Sequence, residues 1–170
     1  MEKELIDFLN ENQHLVNENR WEDLYQKCAS SIISQLTDCL LTAEINPFDY
    51  LKRIPAKSFY RSKIVEFTIP DNIITIEDSA FRDCDSLTSI VIPDSVTTIG
   101  DGAFYWCDSL TEVIIPDSVT SIGESAFQNC KNLEIKYSGT KAQWKDLAKG
   151  KFANATYICT CSDGIVKKSR

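Results

Sequence analysis

A unit of 23 residues occurs three times in succession in the middle of this chain of 170 residues. The copies begin at Ile69, Ile92 and Ile115 and read IPDNIITIEDSAFRDCDSLTSIV, IPDSVTTIGDGAFYWCDSLTEVI and IPDSVTSIGESAFQNCKNLEIKY. A repeat of roughly 20 to 50 residues is typical of solenoids and propellers, and a propeller blade needs about 40. The unit therefore predicts a solenoid with one coil per repeat.

The apolar residues of each unit predict how the coils stack. Two short extended segments carry them: Ile73 and Ile76 lie in one, and Leu87, Ile90 and Ile92 lie in the other, which runs into the start of the second unit. The pair Ala80-Phe81 is expected to begin a tight helical turn that closes the coil. Because one coil cannot cover its own apolar residues on both sides, the neighbouring coils must bury them, and both ends of the stack need caps.

Residues 1–53 are predicted to form a helical N-terminal cap. The apolar stripe Leu5, Phe8 and Leu9 indicates a short first helix, and a second stripe from Trp21 to Leu40 predicts one helix of more than five turns. Asn19 with Glu22 has the capping-box pattern, so this long helix is expected to start near Arg20. Asn46 and Pro47 predict a third, short helix.

The residues on either side of the repeats predict how the solenoid begins and ends. At its start, KIVEFTIP (63–70) reproduces only the extended half of a unit. In the C-terminal part, 138–170, Thr140 and Gln143 form a capping-box pattern ahead of a helix that has Trp144 on its apolar face and Gly150 as its stop. The segment ATYICTC then alternates like a strand, and SDG offers a turn into IVKK, which predicts a hairpin.

Residues 64–137 resemble the BspA-like class of leucine-rich repeats, whose units look like LxxIxIPxxVTxIGxxAFxxCxxL. The GTKAQW segment and the CxDG motif, within 138–164, are similar to the C-terminal cap of many members. Glu77 departs from the pattern by replacing its glycine, and the third unit is one residue short before Leu133. The implied fold is α+β: a short leucine-rich-repeat solenoid of three coils plus a partial one (54–137), between an N-terminal helical cap and a C-terminal helix with a hairpin.

The resemblance implies a binding function, because BspA-like proteins are mostly interaction proteins, including secreted adhesins. We expect a non-catalytic protein–protein interaction module, namely a cytoplasmic bacterial or phage binding or inhibitor protein. One alternative is a secreted adhesin without its signal, and another is an enzyme with a site in the N-terminal helices. The start MEKELIDFLNENQ lacks the continuous apolar run of a signal peptide, which favours the cytoplasm.

The charge of the chain bears on its partners. The formal net charge is −7, from 25 acidic and 18 basic residues. Binding to nucleic acid or anionic lipid draws on clustered Lys and Arg, so neither is expected as a partner. Another protein, with a basic surface, or a second copy of this chain is the expected partner.

Catalytic and metal-binding patterns are weak in this sequence. The single histidine, His14, lies in a polar stretch of the first helical region, and we expect it to be a solvated surface residue. No cofactor or metal site is expected, since CxxC spacing is missing and Cys159 and Cys161 are taken to point to opposite faces of their strand. Cys84, Cys107 and Cys130 recur with the repeat, and we expect packed thiols that make weak hydrogen bonds.

Two surfaces are candidate binding sites. The strand face is predicted to carry two outward columns, Glu66, Ser89, Glu112 and Glu134 beside Thr68, Val91, Ile114 and Lys136. The second candidate is Tyr105 with Trp106, where the neighbouring units have Arg82-Asp83 and Gln128-Asn129. Trp and Tyr are enriched at interface hot spots, although the ring of Trp106 could instead fold back over its coil. Acidic surroundings are expected to favour a basic partner surface.

Overall fold

The computed structural model describes residues 3–17, 20–28, 33–42, 47–131, 133–149, 151–152 and 156–168. Its helices are α1 (Lys3–Glu11), α2 (Gln13–Asn17), α3 (Trp21–Lys27), α4 (Ile33–Thr42), a 3₁₀ turn (Pro47–Asp49) and α5 (Lys141–Leu147). Its strands are β1 (Arg53–Ile54), β2 (Thr75–Ile76), β3 (Ser89–Val91), β4 (Thr98–Ile99), β5 (Glu112–Ile115), β6 (Ser121–Ile122), β7 (Leu133–Tyr137), β8 (Tyr157–Cys161) and β9 (Gly164–Lys168).

The strands form two sheets along the sides of the solenoid. One has four parallel strands in the order β1-β2-β4-β6, and the other has five strands in the order β3-β5-β7-β8-β9, of which only β9 runs antiparallel to its neighbour. Each repeat lies in register on the next, with Thr75 beside Thr98 and Ser89 beside Glu112. The predicted α+β solenoid with its flanking caps is confirmed.

A stack of five phenylalanine rings runs through the core, and we call it the phenylalanine stack. Neighbouring rings are nearly parallel, within 6°, and their centroids lie 4.7 to 5.2 Å apart, in the order Phe59, Phe81, Phe104, Phe127 and Phe152. The three repeats supply only the middle three rings. Phe59 shows that a coil precedes the first repeat, and Phe152 shows that the C-terminal cap continues the same stack.

The first coil is therefore more complete than the sequence predicted. Its strand β1 pairs with β2, and the amide N–H of Phe59 donates to the carbonyl of Ala80, one coil further on. The prediction that only the extended half of a unit precedes Ile69 was wrong. The signal was hidden because this coil lacks the IPxxV segment and has Ser62 where the repeats have cysteine.

The corner of each coil is built from successive tight turns, where a helical turn was predicted. In the first repeat the N–H groups of Ala80 and Arg82 donate to the carbonyls three residues before them, while those of Ser79 and Asp83 donate to the next coil. Two positions in each corner have left-handed backbone, φ 57° at Ser79 and 58° at Asp83. Because N–H groups that donate within the coil alternate with N–H groups that donate to the next coil, the regular hydrogen bonding of an α-helix cannot form here.

The repeated cysteines form a second ladder beside the phenylalanine stack, which we call the thiol ladder. The thiols of Cys84, Cys107 and Cys130 donate to the carbonyls of Phe59, Phe81 and Phe104, at 2.9 to 3.1 Å. A hydrogen bond to Cys84 and burial together raise the pKa of Cys107, and burial raises that of Cys130. The thiols therefore satisfy backbone carbonyls inside the core, as the sequence predicted.

The N-terminal stripe folds into two helices, so the prediction of one long helix was wrong. Cys28, directly after α3, has extended backbone (φ −68°, ψ 128°). The hydroxyl of Tyr25 lies 2.8 Å from that of Thr37, twelve residues further on. In one straight helix those residues would be about 18 Å apart along the axis, so the chain must turn back between them. The predicted cap residues Asn19 and Asn46 lie outside the described residues.

Glu77 connects helix α3 to the solenoid through Arg53, and this contact explains why glutamate replaces the glycine of the repeat. Its carboxylate accepts from Arg53 at 2.7 Å and from the N–H of Ala56 at 2.9 Å, and Arg53 also binds Glu22 of α3 at 2.6 Å. Burial would lower the pKa of Arg53, but its hydrogen bonds to the two carboxylates outweigh burial and raise it. Gly123, by contrast, must be glycine, since a Cβ there would lie 2.4 Å from the backbone of the preceding coil.

The C-terminal cap follows its prediction in most respects. Thr140 and Gln143 form a capping box, Trp144 is buried, and β8 and β9 form the hairpin. Gly150 lies outside the described residues. The prediction for Cys159 and Cys161 was wrong: both are buried on one face with their sulfurs 3.6 Å apart, because residues two apart on a strand point the same way.

Candidate interaction surfaces

The outward columns of the five-stranded sheet follow the predicted register from β3 onward, whereas Glu66 and Thr68, predicted to begin them, precede the first strand of the sheet. Glu112 stands between Ser89 and Glu134, and Ile114 stands between Val91 and Lys136. Val91 is 57% exposed although it is apolar. Lys136 forms an ion pair of 3.2 Å with Glu112, so the middle of the sheet is partly neutralised.

An open groove of about 520 Å³ lies at the end of this sheet, and we call it the strand-face groove. β3 is the edge strand there, and the chain segment 66–69 forms the other wall. The N–H of Thr88 donates to the carbonyl of Val65, which is the last backbone contact between these walls in the described chain. Beyond it the segment separates from β3, and this separation creates the groove.

The lining of the strand-face groove combines apolar and acidic groups. Val91 and Ile114 contribute apolar surface, and Glu66, Asp71 and Asp94 contribute carboxylates. Among the described residues that line it, none is cationic. The sequence predicted Val91, Ile114 and Glu66 of this lining as binding residues. Glu112 and Lys136, which it also predicted, lie on the sheet and do not line the groove. Asp71 and Asp94 follow the prolines of the IPD segments, and no sequence signal indicated that they face the groove.

The second surface lies on the corner of the coils and consists of Tyr60, Arg61, Arg82, Tyr105 and Trp106, and we call it the corner patch. The guanidinium of Arg61 lies 5.1 Å from the ring centre of Tyr60, and that of Arg82 lies 4.8 Å from that of Tyr105. The rings of Tyr105 and Trp106 are 5.5 Å apart. Trp106 is 51% exposed, so its ring is neither free of the coil nor covered by it.

Trp106 has left-handed backbone, with φ 56°. The ladder imposes this conformation, because the N–H of Trp106 donates to the next coil just as those of Arg61 and Asp83 do. Asn129 takes the same place in the third repeat with φ 65°. Asp and Asn tolerate left-handed backbone, but for a bulky residue it is an outlier that costs about 1–2 kcal/mol. Coil stacking does not require an indole here.

Arginines accompany the carboxylates near Trp106. At the positions equivalent to Tyr105 and Trp106 in the described coils, Asp83 is the only carboxylate, and it is flanked by Arg61 at 3.6 Å and Arg82 at 3.9 Å. The Nε atom of Arg82 has no hydrogen-bond partner among the described residues. The repeat hid this feature, because Arg61 belongs to the coil that the sequence did not reveal.

Chemistry beyond binding has little support in the described part of the chain. His14 is exposed on α2. In that part no three His, Cys, Asp or Glu side chains are grouped as a metal site, and no helix has the length and apolarity to span a bilayer. The thiols of Cys107 and Cys130 have raised pKa values, and a thiol with a raised pKa is a weak nucleophile.

Parallel coils stacked at a 23-residue spacing, with inward leucine, isoleucine and phenylalanine ladders, define a leucine-rich-repeat solenoid. The BspA type leucine rich repeat region matches residues 39–159 in six copies. The chain belongs to this family of BspA-type leucine-rich repeats. Proteins with leucine-rich repeats typically mediate protein–protein interaction or surface adhesion. No match was found among curated proteins.

Solved structures of bacterial leucine-rich-repeat proteins resemble this chain. One from Bacteroides ovatus is 31% identical with a TM-score of 0.54, over 64% of this chain and 28% of that protein. A leucine rich cell surface protein from Faecalibacterium prausnitzii is 34% identical with a TM-score of 0.47, over 57% of this chain and 32% of that protein. One from T. pallidum is 36% identical with a TM-score of 0.46, over 47% and 38%. This chain thus spans less than two fifths of each relative.

Proposed function

We propose that this chain is a non-catalytic protein-binding module that holds an extended, basic segment of a partner protein in the strand-face groove. The observation that carries the proposal is the meeting of three carboxylates with exposed apolar surface along an open edge strand. An extended segment can add to such an edge through its backbone, while its side chains alternate between the two walls. Apolar side chains would contact Val91 and Ile114, and basic ones would pair with the acidic wall.

We place this module in a reducing cytoplasm of bacterial or phage-infected cells. The thiol ladder supports this, because its sulfurs serve as hydrogen-bond donors to core carbonyls and a disulfide would remove them. A secreted, adhesin-type role is the alternative, in keeping with the adhesive members of the family. Thiol titration of denatured protein, purified without reductant and shielded from air, separates the two: all seven cysteines titrate under our proposal.

The groove is tested with labelled peptides in which valine alternates with lysine, measured by fluorescence anisotropy. A matched peptide with glutamate in place of lysine controls for charge. Binding of the basic peptide should weaken at least about tenfold, or 1.4 kcal/mol, in Val91→Asp and in the double variant Asp71→Asn/Asp94→Asn. It should also weaken as salt rises, because the carboxylates are exposed.

Ile74→Asp is the matched control, since Ile74 is 46% exposed but lies beside β2, on the other sheet. This variant should bind the basic peptide as the wild type does. Equal binding of the acidic and basic peptides, or equal loss in Val91→Asp and Ile74→Asp, would refute the groove. Lack of saturable binding by either peptide at about 1 mM would refute it as well.

A further inference from the structure

We infer that the corner patch binds the strand-face groove of a second copy of this chain. The inference rests on the proposed function in one respect, because it uses the same groove. It adds a specific occupant from the chain itself, with Trp106 as the inserted side chain. The corner patch and the groove lie on different sides of the coil, at the turns and on the five-stranded sheet, so they meet only between molecules.

The side chain at position 106 is the first reason to treat the patch as an anchor. All four coils have left-handed backbone at this position, with Arg61, Asp83 and Asn129 in the other three. The middle repeat has an indole there that is half exposed, next to the ring of Tyr105. Stacking imposes the left-handed backbone but does not require an indole on it, and Trp is the residue type most enriched at binding hot spots.

The charges of the two surfaces are complementary, and this favours a second copy as the occupant. The guanidinium groups of Arg61 and Arg82 flank the aromatic rings of the patch. The groove has carboxylates at Glu66, Asp71 and Asp94 around its apolar floor. Guanidinium groups form bidentate pairs with carboxylates, and the side chain of Arg61 is 72% exposed at this corner. The groove has a volume of about 520 Å³, within the range of roughly 300–1,000 Å³ that is typical of small-molecule pockets. It is therefore large enough to hold an aromatic side chain.

This contact is heterologous, since a patch on one molecule meets a groove on the next. Each molecule in a pair still has one free patch and one free groove, so association can continue into open chains. The contact is weak in a protein of net charge −7, because the copies repel one another over longer distances. Self-association is therefore expected to depend on concentration, and the basic peptide should compete for the same groove.

The test uses two variants that each disable one surface, measured by sedimentation velocity over about a hundredfold range of concentration. Trp106→Asn disables the patch and keeps the fold, because Asn129 already adopts this backbone. Asp71→Lys/Asp94→Lys disables the groove. We expect wild-type protein to form dimers and larger species, each variant alone to remain monomeric, and an equimolar mixture of the two to give a 1:1 dimer and nothing larger.

Ile74→Asp is again the control and should associate as the wild type does, and thermal melts confirm that each variant is folded. Wild-type protein that stays monomeric at about 1 mM would overturn the inference. So would a Trp106→Asn variant that associates like wild type, or a groove variant that dimerises alone, which would indicate contact between patches. If wild-type protein binds the basic peptide but does not self-associate, the proposed function stands and this inference falls.

Discussion

Truncation of the central ring of the phenylalanine stack gives a sharp measure of what holds the coils together. Phe104 is fully buried, and its ring lies 5.1 Å from those of both Phe81 and Phe127. Phe104→Ala removes the whole ring and should lower the free energy of unfolding by about 3–5 kcal/mol. Phe104→Leu keeps an apolar side chain but loses two ring contacts worth about 0.5–1.5 kcal/mol each, so we expect a loss of about 1–3 kcal/mol.

Urea denaturation followed by circular dichroism measures these losses, provided that the m-value stays constant. A double-mutant cycle of Phe104→Leu with Phe127→Leu should show a coupling of about 0.5–1.5 kcal/mol, since these rings touch. The cycle with Phe59→Leu is the control, because Phe81 lies between those two rings, and it should be additive within about 0.5 kcal/mol. A loss below about 0.5 kcal/mol for Phe104→Leu, or equal coupling in both cycles, would refute the stacking argument.

Four further predictions concern other parts of the fold. Gly123→Ala should cost about 3 kcal/mol in urea denaturation, because its Cβ would meet backbone, whereas Gly102→Ala, with φ 57° and only ordinary van der Waals contacts at its Cβ, should cost about 1 kcal/mol. Arg53→Ala removes the ion pair to Glu22 that joins helix α3 to the solenoid, and should raise hydrogen exchange in α3 first. Alkylation of native protein should leave the thiol ladder unmodified until the protein unfolds; labelling at the rate of unfolded thiols would contradict its burial. Burial raises the pKa of Asp38, so its charged form costs stability above that pKa; Asp38→Asn should stabilise the protein at neutral pH, with a gain that shrinks as pH falls.

The periodicity of the sequence was enough to predict the coils, their register and the inward ladders. In a stacked repeat each residue contacts its own equivalent in the next unit. A contact between residues that are distant in sequence is therefore encoded by a pattern that is regular along the chain. For this reason the columns through Val91 and Ile114, and the thiol ladder, could be placed in advance. The capping box of Thr140 was equally local, since its two partners are three residues apart.

Features that depend on non-repeating contacts were decided only by the tertiary structure. The coil that contains Phe59 has few repeat residues, and its place follows from stacking on Phe81. Arg61 of that coil lies 3.6 Å from Asp83, on the coil before Trp106, and the sequence pattern could not show this charge. The strand-face groove exists because the segment 66–69 separates from β3, and in this segment Phe67 packs against Phe48 and Phe59. A periodic pattern specifies how each unit contacts the next, but it carries no information about where the repetition stops, and both candidate binding surfaces include residues from that boundary.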